Sequence, residues 1–71
     1  MTDDRLPDDA AIITGAYATR VTELFRVFAE AVATGEPERE AVVRFKRGLV
    51  GARRVLALAL DAAKKAEDDT A

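Results

Sequence analysis

Apolar residues recur at steps of three and four between residues 13 and 32, with mostly polar residues between them. This spacing is typical of one face of an α-helix. The first apolar stripe consists of Ile13, Tyr17, Val21, Leu24, Phe28 and Ala31, joined by Phe25 and Val32. Asp8 follows Pro7 and suits the N-cap position, because its carboxylate can accept hydrogen bonds from the free amides of a first helical turn. The pattern predicts a first helix over about residues 9–34.

A second apolar stripe with the same spacing follows Pro37. It consists of Val42, Phe45, Leu49, Ala52, Leu56, Leu60 or Ala59, and Ala63. The spacing predicts a second helix over about residues 37–67. The two stripes are similar in length, as expected of two helices that pack against each other along most of their extent.

The segment Thr34-Gly35-Glu36-Pro37 separates the two stripes. Glycine can adopt the left-handed conformation at the end of a helix without a Cβ penalty, and proline suits the first turn of the helix that follows. Glu36, Glu38 and Glu40 add negative charge near the positive end of the second helix dipole. We therefore expect the first helix to end and the chain to reverse direction at this segment.

Reversal at Gly35 predicts an all-α fold, an antiparallel two-helix hairpin. Facing residues then have numbers that sum to about 70, which sets Phe28 near Val42 and Leu24 near Phe45. Seventy-one residues allow a single small domain. Its predicted parts are a flexible acidic lead-in over 1–8, the two helices, the turn over 34–37 and a frayed tail over 68–71.

A further set of small and apolar residues lies on another side of the predicted second helix. This candidate dimer seam consists of Gly48, Gly51, Val55, Leu58 and Ala62. A glycine inside a helix costs about 1 kcal/mol relative to alanine, so two of them suggest a close approach of another backbone. The first helix offers Ile12, Ala16 and Val27 as possible counterparts. The contact between the two helices buries few apolar side chains for a chain of this length. We therefore expect two hairpins to form a homodimeric four-helix bundle.

Charge is nearly balanced over the whole chain, with 11 basic and 13 acidic residues and a net charge of −2. One basic run stands out because no acid interrupts it between Glu40 and Asp61. It consists of Arg44, Lys46, Arg47, Arg53 and Arg54. These residues could form a solvated helix surface, contact an acidic protein or a second subunit, or bind nucleic acid. Nucleic acid is the less favoured partner, because no aromatic residue lies within this surface for base stacking.

The chain contains no His, Cys, Ser, Asn, Gln or Trp. The side chains that most often carry acid–base and covalent catalysis are therefore missing. We predict no catalytic residue, no metal site and no cofactor. The apolar runs are too short to cross a membrane and the acidic start is unlike a signal peptide, so we expect a cytoplasmic protein.

These observations favour a non-enzymatic protein–protein interaction module, acting as an adaptor, a regulator or an assembly subunit. The expected partners are a second copy of the chain and an acidic protein, with no membrane. The alternative is a small nucleic-acid-binding helical protein that uses the basic run of the second helix.

Overall fold

The computed structural model describes residues 8–69, which form two α-helices. Helix α1 spans Asp9–Ala33 and helix α2 spans Glu38–Asp69. The two helices pack against each other, which confirms the predicted helical hairpin. Most of the predicted lead-in, residues 1–7, and the last two residues of the predicted tail lie outside the described residues.

Local hydrogen bonds cap helix α1 at both ends. At its start the Asp8 carboxylate accepts a hydrogen bond from the Ala11 amide at 3.3 Å, as expected for an N-cap residue. At its end Gly35 has a φ of +92°, in the left-handed region. The Gly35 amide donates to the Val32 carbonyl at 3.1 Å, and the next amide, of Glu36, donates to the Ala31 carbonyl at 3.0 Å. This pair of bonds is the Schellman motif, which ends α1 and turns the chain back.

Helix α2 starts one residue later than its sequence pattern predicts. The Pro37 carbonyl accepts hydrogen bonds from the amides of Glu40 and Ala41, both at 3.1 Å, so Pro37 precedes the helix instead of lying in its first turn. Glu36 also contacts the second helix, because its carboxylate forms an ion pair with Arg44. The turn is thereby attached to both helices.

The seam between the helices has a different register from the predicted one. The rings of Phe28 and Phe45 stack with centroids 4.8 Å apart, and Leu24 packs against Gly48. The contacts that Phe28 and Leu24 make in α2 are therefore about three residues beyond the predicted partners Val42 and Phe45, although Leu24 and Phe45 still line the same part of the groove. The connection occupies four residues centred after Gly35, which accounts for about one residue of this shift, and the remainder is a displacement of α1 along α2.

The hairpin is a single layer of helices with two open faces. Its Cα atoms extend over 53 × 23 × 9 Å, and the radius of gyration of 16.8 Å exceeds the roughly 11 Å of a compact chain of this length. Among the described residues, the only buried apolar residues are Ala31 and Ala41. Domains normally consist of two layers of secondary structure packed around a core. The hairpin supplies only one such layer.

Candidate interaction surfaces

A groove runs between α1 and α2 on one face of the hairpin. One part of it, toward the open end, has a volume of about 430 Å³, and another part, toward the turn, has a volume of about 330 Å³. Ala16 and Tyr17 line the first part from α1, and Gly51 and Val55 line it from α2. The groove is mostly apolar, and Arg20 borders both parts of it.

The candidate dimer seam lies along this groove. Val55 and Leu58 are 64% and 60% exposed, and Ala62, seven residues after Val55, continues the same side of α2. The counterparts predicted on α1 lie on the same side of the hairpin, with Ile12 and Val27 also more than half exposed. We call this side the groove face; it comprises Ile12, Ala16, Arg20 and Val27 of α1, and Arg44, Gly51, Val55, Leu58 and Ala62 of α2.

The two interior glycines of α2 have different surroundings. A Cβ atom on Gly48 would lie 2.6 Å from Cδ2 of Leu24, so this glycine leaves room for the Leu24 side chain within one hairpin. A Cβ atom on Gly51 would meet nothing within 4 Å. Packing inside the hairpin therefore accounts for Gly48, a role that the sequence interpretation did not assign, and leaves Gly51 unexplained.

Charges of both signs lie on the groove face and its borders. Arg20 forms an ion pair with Glu23 at 3.4 Å, and Arg44 pairs with Glu36. Glu30 lies on the same side of α1 as Glu23, seven residues further on. A surface with this mixture of charges can face a second copy of itself without a large excess of like charge.

The opposite side of the hairpin, the back face, also exposes apolar side chains, and between Arg39 and Arg53 its charged side chains are all basic. Phe25 of α1 is 58% exposed, and Val42 and Val50 of α2 are 46% and 58% exposed. Basic side chains accompany them at intervals of seven residues along one side of α2. This back-face row consists of Arg39, Lys46 and Arg53, all exposed.

The five candidate basic contact residues point in three directions. Arg44 belongs to the groove face, while Lys46 and Arg53 belong to the back face. Arg47 and Arg54 follow the outer edge of α2, although Arg47 also reaches the groove. The basic run in sequence is thus not one continuous surface in space.

Arg39 is a member of the back-face row that the sequence interpretation missed. Glu40 separates it in sequence from the basic run that begins at Arg44. Its spacing of seven residues from Lys46, and of fourteen from Arg53, is the signal that could have identified it.

Neither helix in the part of the chain from 8 to 69 is long and apolar enough to cross a membrane. Within the same residues no group of three or more acidic side chains is placed to hold a metal ion.

Comparison of the chain with protein-family models, curated proteins and solved structures found no match. The functional interpretation therefore depends on the geometry of the two faces.

Proposed function

We propose that this chain is a non-enzymatic protein–protein interaction module, an adaptor, regulator or assembly subunit that acts as a homodimer. In this dimer the groove faces of two hairpins stack and form a four-helix bundle. The observation that carries the proposal is the exposure of Ile12, Val27, Val55 and Leu58 on one side of a single helical layer. A second layer placed there would bury them and give the hairpin the core that it lacks.

The exposed area is consistent with a missing partner. The chain exposes 5695 Å², whereas a compact monomer of its mass, 7.7 kDa, exposes roughly 4,300 Å². An ordinary protein–protein interface removes about 800 Å² from each partner, and obligate homodimers often remove more. The excess of roughly 1,400 Å² is large enough to include one homodimer interface.

Charge favours an antiparallel arrangement of the two hairpins in the dimer. Asp8 and Asp9 lie at the open end of the hairpin, whereas Arg44 and Arg47 lie nearer the turn. An antiparallel pairing brings the acidic end of one subunit toward the basic part of the other. A parallel pairing would place like charges together, which costs free energy at an interface.

The dimer is tested by multi-angle light scattering after size exclusion, at tens of micromolar protein. The wild type is expected to show about twice the chain mass of 7.7 kDa. Leu58→Asp should give a monomer, largely unfolded at low concentration, because it buries an unpaired carboxylate between the layers. A wild-type monomer, or a Leu58→Asp variant that stays dimeric, would contradict the proposal.

Val50→Asp is the matched control for this experiment. Val50 lies on the same helix and is 58% exposed, close to the 60% of Leu58, but it belongs to the back face. We expect Val50→Asp to remain dimeric. Dissociation of this variant together with a dimeric Leu58→Asp would mean that the two subunits meet through their back faces.

The alternative function is nucleic-acid binding through the basic residues of α2. One observation favours it, the back-face row beside the exposed ring of Phe25, which is a possible stacking surface. Retention on immobilised nucleic acid with a steep dependence on salt would support it, because phosphate contacts release counterions. Absence of retention at low salt would rule out this use of the basic residues.

A further inference from the structure

The back face combines an apolar surface with unpaired positive charge. Among residues 8–69, no acidic side chain forms an ion pair with Arg39, Lys46 or Arg53. The Phe28–Phe45 and Leu24–Gly48 contacts place Phe25 at about the level of Lys46, across the hairpin. The row of cations therefore runs past an exposed aromatic ring.

Helix α1 contributes no acid to this face. Its acidic residues Asp9, Glu23 and Glu30 lie on the side of the groove, at multiples of seven residues from one another. The α1 positions that border the back face carry only apolar residues, threonine and alanine. No acid of α1 therefore neutralises the positive charge of the back-face row.

A second copy of the chain does not suit this face. Two back faces stacked around a twofold axis at the level of Lys46 would bring six cations together without an intervening acid from α1. Like charges opposed across an interface cost several kcal/mol. The groove face, with both signs of charge, has no such penalty, so self-association uses the groove and leaves the back face open.

An acidic helix suits the back face in both shape and charge. The shallow channel between two packed helices accepts the apolar side of a third helix, whose flanking residues then meet the rims of the channel. The channel is as long as α1, whose 25 residues measure about 37 Å, so it can accommodate a helix of about 20 residues, which measures about 30 Å. Glutamates at intervals of seven residues would match the spacing of the row.

The flat surface of an anionic membrane matches the back face less well. Around the axis of α2, the back-face row lies between Val42 on one side and Val50 on the other. The cations are therefore mixed with the apolar residues and do not form a separate charged side. A bilayer would have to take up Lys46 and Phe25 at the same depth, whereas membrane-surface helices separate a charged side from an apolar side. We propose that the back face binds an acidic amphipathic helix of a partner protein.

The inference rests on the proposed function in one respect, that the second copy occupies the groove face.

The probe is a fluorescein-labelled synthetic helix of 21 residues with leucine on one side and glutamate on both flanks. Binding is followed by fluorescence anisotropy at several salt concentrations. Two control peptides carry lysine in place of glutamate, or the same residues in an order without an apolar side.

Two pairs of charge reversals locate the binding surface. Lys46→Glu with Arg53→Glu should weaken binding of the acidic helix by at least about tenfold, since it replaces two attractive contacts with repulsive ones. Arg47→Glu with Arg54→Glu makes the same change in net charge at the outer edge and should weaken binding by less than about threefold. Phe25→Ala should weaken binding without changing its salt dependence.

The expected result is binding of the acidic helix alone, lost with the Lys46 and Arg53 reversals and kept with the Arg47 and Arg54 reversals. Equal losses for both pairs would overturn the inference, because they would indicate nonspecific attraction. Tighter binding of a 20-base nucleic acid, or of vesicles containing phosphatidylserine, lost through the same reversals would also overturn it.

Light scattering on the same samples separates this inference from the proposed dimer. The Lys46 and Arg53 reversals should leave the dimer mass unchanged. If the wild type is a monomer but binds the acidic helix through the back face, the homodimer is refuted and the inference stands. If the Lys46 and Arg53 reversals leave binding of the acidic helix unchanged, the helix binds elsewhere on the protein and the inference is refuted.

Discussion

The glycine in the turn provides the most direct test of how this chain folds. Gly35 has a φ of +92°, and a Cβ atom added there would meet nothing within 4 Å. Any effect of Gly35→Ala therefore comes from the backbone and not from a clash. An L-residue in the left-handed region costs about 1–2 kcal/mol, and a β-branched residue costs more.

Gly15 is the matched control, because it lies inside α1 and also has nothing within 4 Å of an added Cβ. Its backbone is helical, so Gly15→Ala should stabilise the protein by up to about 1 kcal/mol. Glycine to alanine is thus expected to stabilise the protein at position 15 and to destabilise it at position 35, although an added Cβ meets no other atom at either position. For a domain of this size, 1 kcal/mol corresponds to a shift of about 4–8 °C in Tm.

The assay is thermal and urea unfolding followed by circular dichroism at 222 nm, with all variants at one protein concentration because the proposed dimer would contribute to stability. We expect Gly35→Ala to lose about 1–2 kcal/mol and Gly35→Val to lose at least that much. Gly35→Asn should lose less, since asparagine tolerates positive φ. An unchanged or raised Tm for Gly35→Ala and Gly35→Val would refute the Schellman turn as the feature that reverses the chain.

Two further predictions concern helix α2. Gly48→Ala should change the free energy of unfolding by less than about 1 kcal/mol in urea unfolding, because the gain in helix propensity is offset by the shift of the Leu24 side-chain tip that the new methyl group requires. Gly51→Ala should stabilise the protein less than Gly15→Ala does, because in the proposed dimer the second hairpin packs over Gly51; an equal gain in stability would count against stacking there. Reversal of Arg47 and Arg54 to glutamate should leave the helical circular dichroism signal intact, and a loss of folding would show that these residues are structural.

The sequence alone determined the helices, the α1 cap and the turn. These features depend on local chemistry: the periodicity of apolar residues, the acceptor at Asp8 and the conformational freedom of Gly35. Each of them acts within a few residues, so no knowledge of distant contacts was needed. The start of α2 differed by one residue because Pro37 caps that helix instead of joining it.

The tertiary structure alone decided the register and the separation of the two faces. The stacking of Phe28 on Phe45 and the contact of Leu24 with Gly48 depend on how far α1 slides along α2 and how each helix rotates about its axis. Periodicity leaves both quantities free, because neighbouring turns of a helix offer similar apolar positions. That rotation also places Arg39 with the cations of the back face and leaves the α1 acids beside the groove, which gives the two faces their different charges.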